Sequence, residues 1–152
     1  MNTIDDVKEI IFDHYSDKDG SLIPVEGMNQ IPFDIKRIFY IYGVDGQKKR
    51  GYHAHHETKQ VLICLSGKCT IICRDGSNNR EIVLDSPERA VYVPEMIWEE
   101  VVCHTPQSVL LALTDTLYDK SDYIDDYDIF LESKVVSHTD TRTSFGIGPD
   151  QK

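Results

Sequence analysis

The sequence lacks an apolar run long enough to cross a bilayer, and its start, MNTIDDVKEIIFDHY, lacks the basic segment and continuous apolar stretch of a secretory signal. We therefore expect a cytoplasmic protein that does not bind a membrane. C-x-x-C pairs are also missing, and the four cysteines lie within or beside apolar, strand-like runs at positions 64, 69, 73 and 103. This pattern indicates buried free thiols rather than zinc or redox chemistry.

Positively charged residues are few. The 152 residues include 16 Lys and Arg against 26 Asp and Glu, which gives a net charge of −10. A chain this acidic repels long nucleic acid, so we expect no nucleic-acid partner. The cations are nevertheless concentrated at residues 36–37 and 48–50, where a small anion can bind.

Helical periodicity is missing between residues 35 and 114. In its place stand short runs rich in β-branched and aromatic residues, each followed by Gly, Asn, Asp or Pro. CTIICR before DGSNN, for example, is a strong hairpin signal. Strands of this length favour an antiparallel sandwich or small barrel over a βαβ fold, so we predict an all-β domain.

The two ends of the chain are less regular. Thr3 and Asp6 resemble a capping box, and VKEIIF after them fits either a helix or an edge strand. Residues 122–132, DYIDDYDIFLE, predict a short helix with Tyr123, Tyr127 and Phe130 on one side.

The stretch RGYHAHHETKQVL, residues 50–62, places three histidines within four positions. On a strand, alternate side chains share a face, so His53 and His55 point together and His56 points away. If this strand lines a barrel, the first two imidazoles face its cavity. There they can hold a divalent metal as neutral ligands, or they can move protons near neutral pH.

The metal alternative has a template in the cupins, small jelly-roll barrels that carry H-x-H, an acid a few residues later and a second His further on. His53, His55 and the strand end at Gly67 fit this pattern. Gln60, however, stands at the position of the acid, and a neutral amide is a weak ligand. Glu99 stands where the second His is expected. A metal-dependent cupin enzyme that uses two His and this carboxylate therefore stays open.

Several segments together resemble one family. RGYHAHHETKQVLICLSG, LDSPERAVYVPEMIWEE and YDKSDYIDDYDIFLE are similar, in order and spacing, to the sugar-nucleotide 3,4-ketoisomerases of the WxcM-like cupin family. With DKDGSLIPVE and IPFDIKRIFYIY, the resemblance covers residues 7–132. It implies a cupin-type jelly-roll β-barrel with a short helical or extended C-terminal segment. The expected organisation is a single ketoisomerase domain, residues 1–132, followed by a polar C-terminal tail, residues 133–152.

The resemblance also implies an activity. The family converts dTDP-4-keto-6-deoxyglucose to a dTDP-3-keto-6-deoxyhexose, in the biosynthesis of a 3-amino-3,6-dideoxy sugar of a polysaccharide or natural product. It does so as a homodimer, without a metal or other cofactor. His53 and His55 match its two active-site histidines. A neutral imidazole can remove the C3 proton, which the C4 ketone acidifies, and a protonated one can deliver a proton to C4 of the enediol(ate). Whether one imidazole shuttles or the pair divides the work stays open.

Five further side chains are expected to bind the substrate. Arg37 and Arg50 are the expected diphosphate clamps, because a planar guanidinium forks onto phosphate oxygens. Gln60 can donate to the enediolate oxygens. Trp98 either walls the sugar pocket or fills the core. Glu99 raises the pKa of a histidine if it faces the cavity beside one, and it can also relay protons.

Two residues depart from the family pattern. The family commonly has D-x-R-G before its first hairpin, where this chain has Asp19 in place of the arginine. It also often has W-H-E, where this chain has Glu99 in place of the histidine. These departures keep a third alternative open, a non-catalytic cupin that binds sugar nucleotides.

Overall fold

Strands make up most of the chain. The computed structural model describes residues 1–46 and 48–140, and of residues 137–140 the backbone alone. The strands are β1 (Lys8–Ile11), β2 (Tyr15–Asp17), β3 (Gly20–Leu22), β4 (Arg37–Tyr42), β5 (Lys49–His55), β6 (Gln60–Ser66), β7 (Cys69–Arg74), β8 (Asn79–Leu84), β9 (Arg89–Val93), β10 (Trp98–Cys103), β11 (Val109–Thr114) and β12 (Tyr123–Ile124). One helix, α1 (Tyr127–Asp140), follows β12, and short 3-10 turns at Ile4–Asp6 and Lys120–Asp122 precede β1 and β12.

Two five-stranded antiparallel sheets face each other across the core. Sheet A has the strand order β1-β9-β6-β11-β4, and sheet B has the order β12-β5-β10-β7-β8. β2 and β3 form a separate hairpin. The two sheets bury apolar side chains against each other, among them Leu62 and Val91 of sheet A and Ile71 and Val101 of sheet B. The all-β prediction is confirmed.

The central strands lie where the sequence predicts them, and their turns use the predicted residues. In DGSNN, between β7 and β8, the carboxylate of Asp75 accepts hydrogen bonds from the N–H groups of Ser77 and Asn78 at 2.9 and 2.7 Å. The same carboxylate accepts from the N–H of Ile4 at 2.9 Å. This turn therefore also fixes the N-terminus to the barrel.

The cysteines are buried free thiols, as predicted. The sulfur of Cys69 lies 3.7 Å from that of Cys64 and 3.6 Å from that of Cys103. Burial next to other thiols raises the pKa of Cys69, so this sulfur stays protonated.

Both N-terminal alternatives occur, one after the other. Thr3 and Asp6 form the predicted capping box, but the element that they cap is a single 3-10 turn. Val7 is already extended, and β1 follows as an edge strand of sheet A, paired with β9.

The prediction for residues 122–132 is partly wrong. Tyr123 belongs to strand β12 and not to the helix. This strand pairs with β5 and forms an edge of sheet B. Tyr127 and Phe130 do lie on the helix, and their rings pack against Trp98 with centroid distances of 5.0 and 5.8 Å. The helix thus covers the outer side of sheet B.

Helix α1 continues past residue 132, the predicted end of the domain, so the predicted tail is helical as far as Asp140. Lys134 donates a hydrogen bond from Nζ to the carbonyl of Asn2 at 2.6 Å, which fixes the helix to the N-terminus. Residues 141–152 lie outside the described residues, and the division at residue 132 stays a prediction. None of the described helices is both long and apolar enough to span a membrane.

Candidate active site

A cavity of about 490 Å³ opens between the two sheets. Sheet A gives it an apolar wall that includes Phe39, Leu62 and Ala112, and sheet B gives it a polar wall that includes Arg50, His53 and Glu99. A concave, largely apolar surface with a few convergent polar groups is typical of a site for a small organic ligand.

A β-bulge in β5 shapes the polar wall. Gly51 and Tyr52 both have positive φ, 84° and 59°, and the pairing with β10 shifts by one residue at this point. Glu100 pairs with Gly51, whereas Glu99 pairs with His53. A Cβ on Gly51 would lie 2.9 Å from the carbonyl oxygen of Glu99, so glycine is required here.

His53 and His55 share a face, as the alternation of strand residues predicts. Their rings meet edge to face with 4.9 Å between centroids. His53 lines the cavity, and His55 is buried beside it with 4% of its surface exposed. His56 is exposed, as predicted.

The imidazole of His55 is oriented by a buried hydrogen-bond network. Its Nδ1 lies 2.9 Å from Oδ2 of Asp122. Asp122 also accepts from the hydroxyl of Thr58 at 2.5 Å and from the N–H of Glu57 at 2.7 Å. A carboxylate at Nδ1 selects the tautomer with the proton on that atom, which leaves Nε2 able to accept a proton. Within the described residues Nε2 has no hydrogen-bond partner.

Burial keeps His55 neutral. The loss of hydration lowers the pKa of His55, and the positive charge of His53 lowers it further, against the attraction of Glu99 and Asp122. Burial alone would raise the pKa of Asp122, but the hydrogen bonds from Thr58 and Glu57 outweigh it and lower that pKa. A neutral imidazole beside a carboxylate is the form that a general base requires.

His53 has its own carboxylate. Nε2 of His53 lies 3.4 Å from Oε1 of Glu99, and Gln60 donates a hydrogen bond from Nε2 to Oε2 of Glu99. Burial works against the charge on both partners, yet the pKa of His53 is raised and that of Glu99 is lowered, because the close contact between the two groups and their mutual attraction dominate. The pKa shift that the sequence predicts for a histidine beside Glu99 is found at His53.

The two arginines occupy different surroundings. Arg50 lines the cavity, is exposed and makes no ion pair within the described residues. Arg37 is not among the lining residues. Its Nε donates to the hydroxyl of Thr114 at 3.3 Å, and its guanidinium lies over the rings of Phe39 and Tyr118 at 5.5 and 5.6 Å from their centroids. The structure thus leaves Arg50 available to an anion and holds Arg37 by protein contacts.

The structure does not bring Trp98 to the cavity. Trp98 and Glu99 are consecutive in β10, so only one of them can face inward, and Glu99 does. Trp98 is 4% exposed and packs beneath α1, which favours the alternative that it fills the core. Lys49 forms an ion pair with Glu100 at 3.3 Å.

Two residues of the site are missed in the sequence. Tyr123 lines the cavity, with its ring centroid 4.5 Å from that of His55 and 5.1 Å from that of His53. Asp122 contacts His55 directly. Both belong to the DYI segment that carries part of the family resemblance, but no spacing links this segment to H-x-H. The link comes from the pairing of Tyr123 with His55 between β12 and β5.

The side chains of the metal alternative are engaged elsewhere. In the described part of the chain no group of three or more His, Cys, Asp or Glu residues is arranged to hold a metal ion. The two oxygens of Glu99 contact His53 and Gln60, and Nδ1 of His55 contacts Asp122. The triad of His53, His55 and Glu99 is therefore not assembled as a ligand set.

Comparison with known proteins decides the family. The family described as "WxcM-like, C-terminal" matches residues 5–135, which is most of the chain. The chain belongs to the WxcM-like family. The domain of this family thus includes both histidines, the bulge and the DYI segment.

Several relatives with assigned activities are similar to this chain over most of its length. TDP-4-oxo-6-deoxy-alpha-D-glucose-3,4-oxoisomerase from Aneurinibacillus thermoaerophilus is 42% identical over 123 residues, 81% of this chain and 88% of that protein. Among solved structures, a 3,4-ketoisomerase from Helicobacter canadensis is 40% identical with a TM-score of 0.83, covering 86% of this chain and 98% of the other. QdtA, a sugar 3,4-ketoisomerase from Thermoanaerobacterium thermosaccharolyticum solved with TDP, is 39% identical with a TM-score of 0.85, covering 88% and 98%. The predicted cupin-type fold and family are confirmed.

Proposed function

We propose that this protein is a cofactor-free 3,4-ketoisomerase that converts dTDP-4-keto-6-deoxyglucose to a dTDP-3-keto-6-deoxyhexose. The observation that carries the proposal is the pair of His53 and His55 rings, 4.9 Å apart beside one cavity. Nδ1 of His55 contacts Asp122, and its Nε2 has no hydrogen-bond partner among the residues that the structure describes. The activities assigned to the relatives support the same reaction.

The reaction moves hydrogen between adjacent sugar carbons. Nε2 of His55 removes the proton from C3, and the electron pair of that bond forms a C3–C4 double bond while the C4 oxygen becomes negative. A proton is then added to C4, the C4 oxygen is protonated, and the C3 hydroxyl loses its proton as its oxygen becomes the carbonyl. The adjacent ketone makes the first step accessible to an imidazole. The phenol of Tyr123, whose ring packs against both histidines, can exchange a proton with the sugar oxygens.

The basic residues Lys49 and Arg50 line the cavity, and Lys49 forms an ion pair with Glu100. Arg50 has no ion-pair partner among the described residues, so its guanidinium is the contact for the diphosphate. Arg37 supports the site differently, by its contacts with Tyr118, whose ring in turn lies 5.8 Å from that of Tyr123. Gln60 acts on the substrate through Glu99 rather than directly.

The decisive experiment follows the reaction by NMR in D₂O, with freshly prepared dTDP-4-keto-6-deoxyglucose, with and without EDTA. We expect a 3-keto product at equal rates in both samples, with deuterium at C4 to the extent that the proton exchanges with solvent. The configuration at C4 identifies the product as galacto or gluco. No product would point to the non-catalytic sugar-nucleotide-binding alternative, and product only without EDTA would point to the metal-dependent one.

His55→Asn provides the matched variant. Asparagine occupies similar space and cannot act as a base, so turnover should fall by about two to four orders of magnitude while TDP binding persists. Normal turnover in this variant would contradict the role of His55. Isothermal titration with TDP measures the binding that should survive.

The proposal also places the reaction in a cytoplasmic pathway, in which the 3-keto product is the substrate of the next enzyme. A 3-keto sugar nucleotide is the form that an aminotransferase converts to a 3-amino-3,6-dideoxy sugar, which is then available for polysaccharide synthesis. Incubation of the product with a pyridoxal-phosphate aminotransferase and an amino donor should yield the amino sugar, detectable by mass spectrometry. The substrate itself would not give a 3-amino product.

We also propose that the protein forms a homodimer. The two copies would meet at the outer face of sheet A, which is the face turned away from sheet B. A largely apolar groove of about 550 Å³ lies on this face, and its lining includes Ile23, Val25, Ile38, Leu65 and Leu111. Exposed apolar surface of this kind is typical of an interface with a second protein surface. Leu65 is 47% exposed, so Leu65→Arg should yield monomers in light scattering without loss of the fold. Val83→Arg, at a 40% exposed site on sheet B, is the control and should remain dimeric.

A further inference from the structure

The two histidines of the site differ in which of their nitrogens are engaged. His55 uses Nδ1 on Asp122 and keeps Nε2 without a partner among the described residues. Nε2 of His53 lies 3.4 Å from Oε1 of Glu99, a carboxylate that is itself buried. An imidazole beside a buried carboxylate is best matched by the imidazolium, which supplies both a positive charge and N–H donors. The surroundings of His53 therefore suit a cation, and those of His55 suit a neutral base.

The burial of Glu99 also indicates that its partner His53 is a cation. Glu99 is 4% exposed, and in the described part of the chain its ion-pair partner is His53 rather than a Lys or Arg. Gln60 contributes one neutral hydrogen bond. A buried carboxylate without a counter-charge is strongly destabilising, so a protonated His53 is the partner that makes the charge of Glu99 tolerable.

We propose that Glu99 is a positioning residue that keeps His53 as an imidazolium, so that His53 supplies a fixed positive charge to the enediolate while His55 alone transfers the carbon-bound proton. This proposal rests on the proposed ketoisomerase function. His53 lines the cavity, so its charge faces the oxygen on which negative charge develops. His55 has the nitrogen that can take the proton from C3 and return it to C4.

The charge of His53 depends on groups from several elements. Glu99 on β10 and Asp125, which follows β12, raise the pKa of His53, and burial lowers it. Facing it are also His55 on β5 and Tyr123 on β12, and the same cavity contains Lys49 and Arg50. Glu99 contacts Nε2 of His53 at 3.4 Å and attracts its charge, so its replacement by Gln removes the main support of the imidazolium.

The first test measures the protonation of His53 directly. Protein with ¹⁵N-labelled histidine is titrated by NMR as wild type, as Glu99→Gln and as Glu100→Gln. Glu100 is the matched control, because it is the next residue on β10 but does not line the cavity and forms ion pairs with Lys49 and Arg74. We expect His53 to stay protonated to higher pH in wild type and Glu100→Gln than in Glu99→Gln. Equal titration in all three proteins would overturn the proposal.

The second test measures catalysis across pH. In Glu99→Gln, kcat at pH 8 should fall by about 10²- to 10³-fold, the usual loss when one charge-stabilising group is removed, while KM changes little. The loss should shrink as the pH is lowered, because His53 then becomes protonated without help, and Glu99→Asp should restore part of the rate. A loss of the same size at every pH would indicate a merely structural role and would overturn the proposal.

The two tests separate this proposal from the proposed function. If the wild-type protein does not turn over the sugar nucleotide, the ketoisomerase function fails, yet the titration of His53 still decides whether Glu99 maintains its charge. If wild type is active but Glu99→Gln keeps its full rate at pH 8, the function stands and the role of Glu99 falls. Circular dichroism confirms that the variants compared are folded.

Discussion

At the scale of single residues, two carboxylates give two neighbouring histidines different properties. Asp122 contacts Nδ1 of His55, and Glu99 contacts Nε2 of His53. The pKa of His55 is lowered and that of His53 is raised, although their rings are only 4.9 Å apart. Opposite shifts in a close pair are how one site provides both a base and a positive charge at the same pH.

The carboxylate of Asp122 should be essential to the base. Asp122→Asn keeps the size of the side chain but can present an N–H to Nδ1 of His55, which would move the ring proton to Nε2 and block proton acceptance. We predict that kcat falls by about two to four orders of magnitude with a smaller change in KM. Steady-state kinetics measures the loss, and ¹⁵N NMR of the histidine identifies the tautomer.

A second variant separates the effect of the charge of Asp122 from the effect of the hydrogen bond that Asp122 accepts from Thr58. Thr58→Val removes the hydroxyl that lies 2.5 Å from Oδ2 of Asp122 and leaves the carboxylate in place. Its kcat should fall by less than about tenfold, since this hydrogen bond acts on the carboxylate rather than on the imidazole, and the contacts of Asp122 with His55 and with the N–H of Glu57 remain. A loss as large as that of Asp122→Asn would contradict this role of the carboxylate.

Sequence patterns identify some of these residues and miss others for physical reasons. His53 and His55 follow from strand alternation, and Glu99 follows from its position where the second cupin motif has its His. Trp98 and Glu99 are neighbours on one strand, so alternation allows only one of them in the cavity. Asp122 is not predictable in this way, because its contact with His55 spans 67 residues and depends on how β12 pairs.

At the scale of elements, the bulge in β5 is the feature that the local sequence does not predict. Arg50 and His53 are three residues apart, so on a regular strand they would point to opposite faces. The extra residue at Tyr52 places both in the wall of the cavity. Glycine at 51 permits the bulge, but the sequence alone predicts only an uninterrupted strand there.

Gly51→Ala should damage both stability and catalysis. The methyl group would meet the carbonyl oxygen of Glu99 at 2.9 Å, and φ of 84° is unfavourable for alanine. We predict a loss of roughly 1–3 kcal/mol in the free energy of unfolding, measured by urea titration, and a lower kcat because β10 must shift at Glu99.

Gly43→Ala is the matched control for this variant. Gly43 has a φ of 69°, but a Cβ there would lie more than 4 Å from every described residue other than its chain neighbours. The control should lose about 1 kcal/mol from the backbone conformation alone and keep its kcat. Equal losses of kcat in both variants would contradict the role of the bulge in positioning Glu99.

At the scale of the whole molecule, the acidic chain should lose stability on acidification. The folded-state pKa values of Glu99, Asp122 and Asp75 are lowered, each against the effect of burial, by hydrogen bonds and by nearby positive charge. A lowered pKa contributes stability that is present above the ordinary value and is lost as the pH falls through the folded-state value. The ordinary values are 4.5 for Glu and 3.8 for Asp.

We therefore predict that the free energy of unfolding declines as the pH falls below about 4.5, as measured by urea titration at several pH values. The lowered pKa of His55 means that the unfolded chain takes up a proton at this residue before the folded protein does. His55 therefore reduces the free energy of unfolding from a higher pH, as the pH falls below its ordinary value of 6.5. Asp122→Asn should reduce the pH dependence, since the substituted side chain no longer titrates. An unchanged dependence in that variant would contradict the prediction.

The overall fold was the most predictable level. Turn residues and β-branched runs define the central strands, and their buried alternate faces require two sheets packed together. The ends were less predictable, because Tyr123 joins a sheet through pairing with a strand far away in sequence, whereas Tyr127 begins a helix. Local propensity cannot distinguish these outcomes.

The contact between His55 and Asp122 also has a consequence for protein synthesis. At typical translation rates of roughly 5–20 residues per second, the ribosome adds Asp122 about 3 to 13 seconds after His55. Through that interval β5 lacks both its partner strand at this edge and the carboxylate that orients its imidazole. Nascent chains that have not yet reached residue 122 thus carry both histidines without the carboxylate that contacts Nδ1 of His55.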